Sequence, residues 1–285
     1  MGRTLNGNHF NFSCFGTIPP KLAQRMEVAA FYGVACGMVH LVAQLSFDIL
    51  FKDYRSLSTS HRLEGYNRFV SLIHSSLMFG LDVRYWWNNH IFTHVKDKIY
   101  SSMEKSMIDI MIGYLVYDII FELFKGLGNS GTTSGATKIS KKGKYKGIVE
   151  HILIILHHFA GIISHISTRV TNNSMCFHYS MLVYLAEAST PTLNITWFLY
   201  VMKWDKNIFF SIVAHTTLVS FFIVRVLLSP YLVLHMLYYR EDWGDGTFLL
   251  FYGNLIIMTI FALLNFVWFY KLINMSRKVD TEKHA

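Results

Sequence analysis

Apolar stretches of about twenty residues recur along the whole chain, and this recurrence constrains the fold more than any other feature. Of the 285 residues, 52% are hydrophobic and only 15% are charged, against about a quarter charged in typical soluble domains. We predict spanning segments at 26–50, 66–86, 106–125, 148–168, 174–202, 207–238 and 247–272. The predicted fold is therefore all-α: a polytopic membrane helical bundle of about seven transmembrane helices enclosing a polar-lined lipid cavity.

Two stretches interrupt this pattern. Residues 189–194, STPTLN, contain Pro191, which cannot donate to a helical hydrogen-bond ladder, so we expect a break or kink there. Broken helices in membranes usually line a cavity. Residues 126–147 are rich in Gly, Ser, Thr and Lys and contain almost nothing apolar, which is typical of a flexible loop between helices.

The net charge of +8 lies mainly between the apolar segments rather than on one soluble face, which argues against a nucleic-acid partner. In membrane proteins, the cytosolic loops carry the excess of Lys and Arg. The N-terminus and the loops after the second, fourth and sixth spans hold nine Lys or Arg residues, and the opposite side holds sixteen. We therefore predict that residues 1–25 lie outside the cytosol and that residues 276–285 form a cytosolic tail.

Four histidines lie in one predicted span, EHILIILHHFAGIISH at 150–165. His151, His158 and His165 are seven residues apart and stack on one helical face, whereas His157 lies about 100° away. Neutral imidazole transfers protons near neutral pH and can also accept an acyl group as a nucleophile. Histidines about 10 Å apart on one helix cannot all reach one zinc ion, so we predict no metal. The alternative is that each is a structural hydrogen-bonding residue.

Ionisable side chains also occur in four other predicted spans, where they are costly unless they face a protein interior. Tyr114, Asp118 and Glu122 are four residues apart and share one helical face. A carboxylate beside a histidine fixes its tautomer and stabilises its charged form, and Asp118 and Glu187 are the candidates for this role. These groups are expected to converge on an interior cavity. The alternative is that Asp118 and Arg225 make structural pairs between helices.

Four motifs resemble the TLC-domain family, which includes ceramide synthases and other lipid-handling membrane proteins. They are NRFVSLIHSSL at 67–77, GYLVYDIIFEL at 113–123, HHFAGI at 157–162 and YLAEASTPTLNITWFL at 184–199. They occur in the family's order within residues 60–275, which we assign to a TLC domain, and a first helix and loop at 26–59 precede it. The resemblance is closest to the branch like TLC domain-containing protein four.

The chain departs from the ceramide synthases after its paired histidines. Those enzymes have an HD pair and a further aspartate, whereas this chain reads LAEASTP, with Glu187 and Thr190 near the corresponding positions. Ceramide synthesis is therefore not implied, but transfer of an acyl group to a different acceptor remains consistent with the pattern.

The resemblance implies a helical core around a lipid-sized cavity in the endoplasmic-reticulum membrane. Where family members are enzymes, they transfer fatty acyl groups from acyl-coenzyme A (acyl-CoA), and the paired histidines carry the chemistry. By this resemblance, the candidate catalytic residues are His157, His158, Asp118 and Glu187. The candidate substrate-binding residues are His74, Tyr114, Glu122, His151, His178, Arg225 and Tyr231.

Three functions are consistent with these features. The first is an acyltransferase that moves a fatty acyl group from acyl-CoA to a lipid amine or hydroxyl, with the paired histidines as nucleophile or general base. The second is a non-enzymatic lipid-binding, sensing or transport protein. The third is a proton-coupled transporter, although no inverted repeat supports it. The expected partners are membrane lipids and a fatty acyl chain, with a homodimer left open and no nucleic acid.

Overall fold

The described part of the chain is almost entirely helical. A computed structural model describes residues 20–89, 100–131, 141–243 and 247–284, and these ranges contain no strand. The α-helices are α1 (Pro20–Leu50), α2 (Lys52–Arg55), α3 (Thr59–Asn88), α4 (Ser102–Gly131), α5 (Lys141–Thr171), α6 (Ser174–Tyr184), α7 (Thr190–Val201), α8 (Ile208–Phe221), α9 (Leu228–Tyr238) and α10 (Phe248–His284). Two 3₁₀ helices cover Leu185–Ser189 and Arg240–Trp243, and a π-helical stretch covers Phe222–Leu227. The predicted all-α fold is confirmed.

Among the described residues, four helical segments are long and apolar enough to cross a membrane, and they identify a multi-pass membrane protein. They are Met26–Leu50, Val149–Thr171, Ile208–Tyr238 and Phe248–Ser276, and they match the first, fourth, sixth and seventh predicted spans. The other three predicted spans fall on α3, on α4 and on α6 with α7. Helices α3 and α4 carry buried charged side chains, and the third region is divided into two short helices. Their membrane assignment stays a prediction.

The break expected around Pro191 is present, but it comes before the proline. Helix α6 ends at Tyr184, a 3₁₀ turn follows, and α7 begins at Thr190 with Pro191 as its second residue. The first turn of a helix leaves its N–H groups without intrahelical partners, so proline is well tolerated there. The 3₁₀ turn contacts the π-helical stretch Phe222–Leu227, so two neighbouring helices are distorted where they meet. No pattern in the sequence predicts the π-helical stretch.

The glycine- and lysine-rich stretch at 126–147 is helical at both ends. Helix α4 continues to Gly131, and α5 begins at Lys141. Helix propagation is cooperative, so apolar helices extend into the polar residues that flank them. The intervening residues 132–140 lie outside the described residues, as do residues 1–19 of the predicted non-cytosolic segment.

Helices α1 and α4 approach each other closely at two glycines. A Cβ atom on Gly33 would lie 3.0 Å from the carbonyl oxygen of Gly113, and a Cβ atom on Gly113 would overlap the carbonyl oxygen of Ala29. Small residues allow membrane helices to pack backbone against backbone. The contact holds α1 against the part of α4 that carries Tyr114 and Asp118.

Replacement of Gly113 by alanine is therefore expected to lower the unfolding temperature of the purified protein in detergent. The added Cβ would meet rigid backbone, and overpacking of this kind costs about 1–3 kcal/mol. Gly37→Ala on α1 is the matched control, because no neighbouring described atom lies within 4 Å of its Cβ position. Alanine is favoured over glycine in a helix interior by about 1 kcal/mol, so this control should be neutral or stabilised. Equal unfolding temperatures for the two variants would contradict the contact.

Candidate functional site

The candidate site is a cavity of about 380 Å³ between α3, α4, α5, α7, α10 and the two distorted segments. Seven of the eleven predicted site residues line it: Tyr114, Asp118, Glu122, His157, His158, Glu187 and Arg225. About half of the remaining wall residues are apolar: Met111, Leu115, Ile154, Leu193, Phe221, Trp268, Leu272 and Met275. The structure therefore brings together most of the polar groups that the sequence distributes over several helices. We call this space the outer cavity.

His158 and Asp118 form the central polar contact of the outer cavity. His158 Nδ1 lies 3.0 Å from Asp118 Oδ2, and the other carboxylate oxygen accepts a hydrogen bond of 2.8 Å from Asn67 Nδ2. Asp118 is 5% exposed and Asn67 is 8% exposed, so water does not compete strongly for this contact. The approach is close enough for an ion-pair contact but does not meet hydrogen-bond geometry at Nδ1. A carboxylate at this distance favours the proton on Nδ1, which leaves the other ring nitrogen of His158 as a proton acceptor.

His157 lies beside this pair in an aromatic environment. Its ring centroid is 5.5 Å from that of His158, 4.4 Å from that of Phe261 and 5.0 Å from that of Trp268. Its Nδ1 is buried and has no hydrogen-bond partner among the described residues. The packing holds the ring in place while one of its nitrogens stays available to a ligand.

Arg225 reaches the cavity from the π-helical stretch. Its Nε donates to Ser189 Oγ at 2.9 Å, and its Nη2 donates to Thr190 Oγ1 at 2.9 Å. Both acceptors come from the break between α6 and α7, so the two distorted segments together position the guanidinium group. Both partners are neutral hydroxyls, and the acid Glu187 on the same wall acts on the guanidinium only through longer-range electrostatic attraction. Single π-helical turns are frequent at functional sites.

A charged rim surrounds one end of the cavity, where α3 begins and α4 approaches its end. Glu64 pairs with Lys125 and, at 3.0 Å, with Arg68, whereas Glu122 lies 2.8 Å from His151 and 3.5 Å from Lys125. Glu64 precedes the predicted span of α3. Burial alone would raise the pKa of Glu64, but Arg68 and Lys125 outweigh burial and hold that pKa below its ordinary value. Its carboxylate is therefore charged at neutral pH.

His74 lies behind the cavity wall rather than on it. Its ring stacks on Tyr114 with 3.8 Å between ring centroids, and its Nδ1 lies 3.3 Å from the Tyr32 hydroxyl. His74 is 1% exposed. The contacts indicate that His74 supports Tyr114.

His178 and Tyr231 do not line the outer cavity and lie in another cluster. The His178 ring is 6.0 Å from Trp86 and 6.3 Å from His235, and Tyr231 lies 5.6 Å from the same His235 ring. Tyr231 is 42% exposed.

Several polar residues of the site were not predicted from the sequence, among them Asn67, Ser189 and Thr190. Asn67 was detectable in principle, because Asn67, Ser71 and His74 are spaced four and then three residues apart on an otherwise apolar helix. The hydroxyls of Ser189 and Thr190 lie within the motif that marks the helix break, but nothing in their spacing indicates that they bind an arginine on another helix.

A family model described as TLC domain matches residues 66–274 of the chain. No curated protein matches the chain. The matched range covers every residue that lines the outer cavity except Glu64 and Met275.

Proposed function

Because the chain belongs to the TLC-domain family, a family of lipid-related membrane proteins, we propose that it is a membrane-embedded lipid acyltransferase. The donor is acyl-CoA, and the acceptor is the amine or hydroxyl of a membrane lipid. One observation carries the proposal: His158 Nδ1 lies 3.0 Å from the buried Asp118 carboxylate on the wall of the cavity. A histidine oriented by a carboxylate is the recurrent arrangement of acyl-transfer catalysts.

The proposed reaction needs only one proton acceptor. The free nitrogen of His158 takes the proton from the acceptor amine or hydroxyl, whose nitrogen or oxygen attacks the thioester carbonyl carbon. The carbon–sulfur bond breaks, and the imidazolium returns the proton to the sulfur of coenzyme A. Asp118 stabilises the imidazolium between these steps. In the nucleophilic variant, His157 or His158 first takes the acyl group itself and then passes it to the acceptor.

Arg225, which lies on a different helix from His158, also supports the proposal. Negative charge develops on the carbonyl oxygen as the thioester is attacked, and a fixed cationic donor in a poorly hydrated cavity stabilises such charge strongly. Ser189 and Thr190 hold the guanidinium in place before the substrate binds. Glu187 lines the same cavity and is the second acid proposed to act on the histidines or on the acceptor.

The charged rim supports an orientation for the donor. The rim belongs to the side of the bundle that carries the larger number of Lys and Arg residues, and we assign this side to the cytosol. The phosphates of acyl-CoA would meet Arg68, Lys125 and Lys271 there, while the acyl chain extends among the apolar wall residues. We further propose that seven helices span the membrane, that this membrane is the endoplasmic-reticulum membrane, and that the C-terminus lies in the cytosol. Within the family, we propose that the chain belongs to the branch like TLC domain-containing protein four.

Release of coenzyme A tests the function directly. Purified protein in nanodiscs of endoplasmic-reticulum lipids, given a long-chain acyl-CoA, should release free thiol together with a matching new acylated lipid. If the acyl-CoA stays intact in the presence of mixed lipid acceptors, the proposal of an acyltransferase is wrong. Intact-protein mass without acceptor then separates the two variants, because only a nucleophilic histidine adds the mass of one acyl group.

The second candidate is a non-enzymatic lipid-binding, sensing or transport protein. The apolar wall of the outer cavity favours it, because this wall would hold an acyl chain without any reaction. In that case the His157–His158 pair would contribute to affinity and not to turnover. An intact lipid that co-purifies and is released on denaturation, with no thiol release from acyl-CoA, would identify this function.

A further inference from the structure

A second, smaller cavity of about 90 Å³ adjoins the outer cavity on the side away from the charged rim. We call it the inner chamber. The two spaces share five wall residues, which are Met111, Leu115, His157, Glu187 and Arg225. The inner chamber adds His165, Tyr184, Ser229 and Asn265 as polar wall residues. His157 therefore borders both spaces.

Four polar atoms of the inner chamber have no protein partner among the residues that the structure describes. They are His157 Nδ1, His165 Nδ1, the Tyr184 hydroxyl and Asn265 Oδ1, and all four are buried. More than nine-tenths of buried polar groups in proteins are hydrogen-bonded. The chamber has room for roughly six water molecules, so it can hold a polar ligand that satisfies these atoms.

The chamber also contains the two unpaired charges of the site. Glu64, Arg68, Asp118, Glu122 and Lys271 on the outer cavity each have a charged or histidine partner within 4.0 Å. Within the described part of the chain, Arg225 and Glu187 have no ion-pair partner within that distance. Their charges sum to zero, so the chamber matches a ligand with no net charge.

The hydrogen-bond donors and acceptors of the chamber restrict the class of ligand further. Asn265 Nδ2 donates to Ser229 Oγ at 2.9 Å, which fixes Asn265 Oδ1 as an acceptor that needs a donor from the ligand. Glu187 likewise accepts only, whereas Arg225 donates only. A hydroxyl group both donates and accepts, so a ligand with two or more hydroxyls satisfies all three.

We propose that the inner chamber binds the head group of an uncharged, hydroxyl-bearing lipid, of which a monoacylglycerol diol is the simplest form. The proposal rests on the proposed function in one respect, namely that this lipid is the acyl acceptor. Because His157 borders both spaces, a hydroxyl in the chamber lies next to His157, whose ring centroid is 5.5 Å from that of His158, while the donor thioester approaches from the outer cavity. The acceptor and the donor thus have separate binding spaces.

Binding without any acyl-CoA tests the inference. The probes are 1-monooleoylglycerol, oleic acid, oleylamine and methyl oleate, which share a chain and differ in the head group. Native mass spectrometry of the detergent-purified protein should give at least tenfold tighter binding of 1-monooleoylglycerol than of the other three. Tyr184→Phe should weaken that binding about tenfold through a lost hydrogen bond, and Tyr238→Phe on an 80% exposed tyrosine is the matched control.

A charge swap gives an independent readout. Glu187→Gln leaves Arg225 as the uncompensated charge, so the variant should bind oleate more tightly and 1-monooleoylglycerol more weakly than the wild type does. Equal affinities of the wild type for the four probes, or equal behaviour of Tyr184→Phe and Tyr238→Phe, would overturn the inference. If the protein transfers no acyl group, the proposed function fails, but the expected affinities for the four probes are unchanged. If it transfers acyl groups yet binds the four head groups equally well, the inference fails and the proposed function stands.

Discussion

Replacement of Asp118 by asparagine is expected to lower the rate of acyl transfer by about 10³-fold or more. The amide keeps the size of the side chain and can still accept the hydrogen bond from Asn67. It can also donate to His158 Nδ1, which would place the proton on the wrong ring nitrogen and remove the base. Loss of the orienting carboxylate in the His–Asp pair of a serine protease lowers the catalytic rate by about 10⁴-fold. His158→Ala should be at least as inactive.

Matched variants separate this loss from a general loss of structure. Asp48→Asn changes the same group at a carboxylate that contacts Tyr66 and Arg62 outside the cavity, and it should retain acyl transfer. His215→Ala removes an exposed histidine of α8 and should also retain it. Thiol release from acyl-CoA by the four variants, each with its unfolding temperature, is the measurement. An Asp118→Asn variant as active as Asp48→Asn would exclude the proposed role of Asp118.

Replacement of Arg169 by leucine is expected to destabilise the protein by about 3–5 kcal/mol. Arg169 Nε and Nη2 bind the two carboxylate oxygens of Asp109 at 2.7 and 2.8 Å, and both side chains are at most 8% exposed. The pair connects α5, which carries the histidines, with α4, which carries Asp118. Without Arg169, the buried carboxylate of Asp109 would lose its guanidinium partner, and an uncompensated charge in a low-dielectric interior is costly.

Two further variants give this prediction its control. The double replacement Asp109→Leu and Arg169→Leu removes both charges, so it should recover much of the lost stability. Arg62→Leu breaks the Arg62–Asp48 pair, which is 3.5 Å long and about one-third exposed, and it should cost less than about 1 kcal/mol. Thermal unfolding in one detergent ranks the three variants. An Arg169→Leu variant as stable as Arg62→Leu would show that the buried pair is not needed.

Periodicity made part of the site predictable from the sequence. Tyr114, Asp118 and Glu122 recur at helical spacing on an apolar helix, and the structure brings all three to one cavity. His157 and His158 also line it, but adjacent residues lie about 100° apart on a helix, so periodicity alone does not predict that both face one cavity. His178 and Tyr231 satisfied the same criterion of a polar group at membrane depth, yet they lie in a different cluster. Depth along a helix is readable from the sequence, whereas the direction in which a lone side chain points is not.

The inner chamber was not predictable in the same way. Its unpaired atoms come from α5, α6 and α10, and their residues lie between positions 157 and 265 of the chain. Whether a buried polar atom has a partner depends on distances of a few tenths of an ångström between helices far apart in the sequence. Arg225 illustrates this, because its partners Ser189 and Thr190 belong to a helix break that only packing against the π-helical stretch brings within reach.

The sequence by itself determined that this chain is a helical membrane protein with polar groups inside its apolar segments. Bilayer thickness and helical periodicity act on local composition, so these properties can be read from about twenty consecutive residues at a time. Only the tertiary structure decided that Asn67, Asp118 and His158 align, that Ser189 and Thr190 bind Arg225, and that two adjoining spaces share His157 as a wall residue. These features depend on the relative rotation and shift of whole helices, which result from packing summed over the bundle rather than from any one segment.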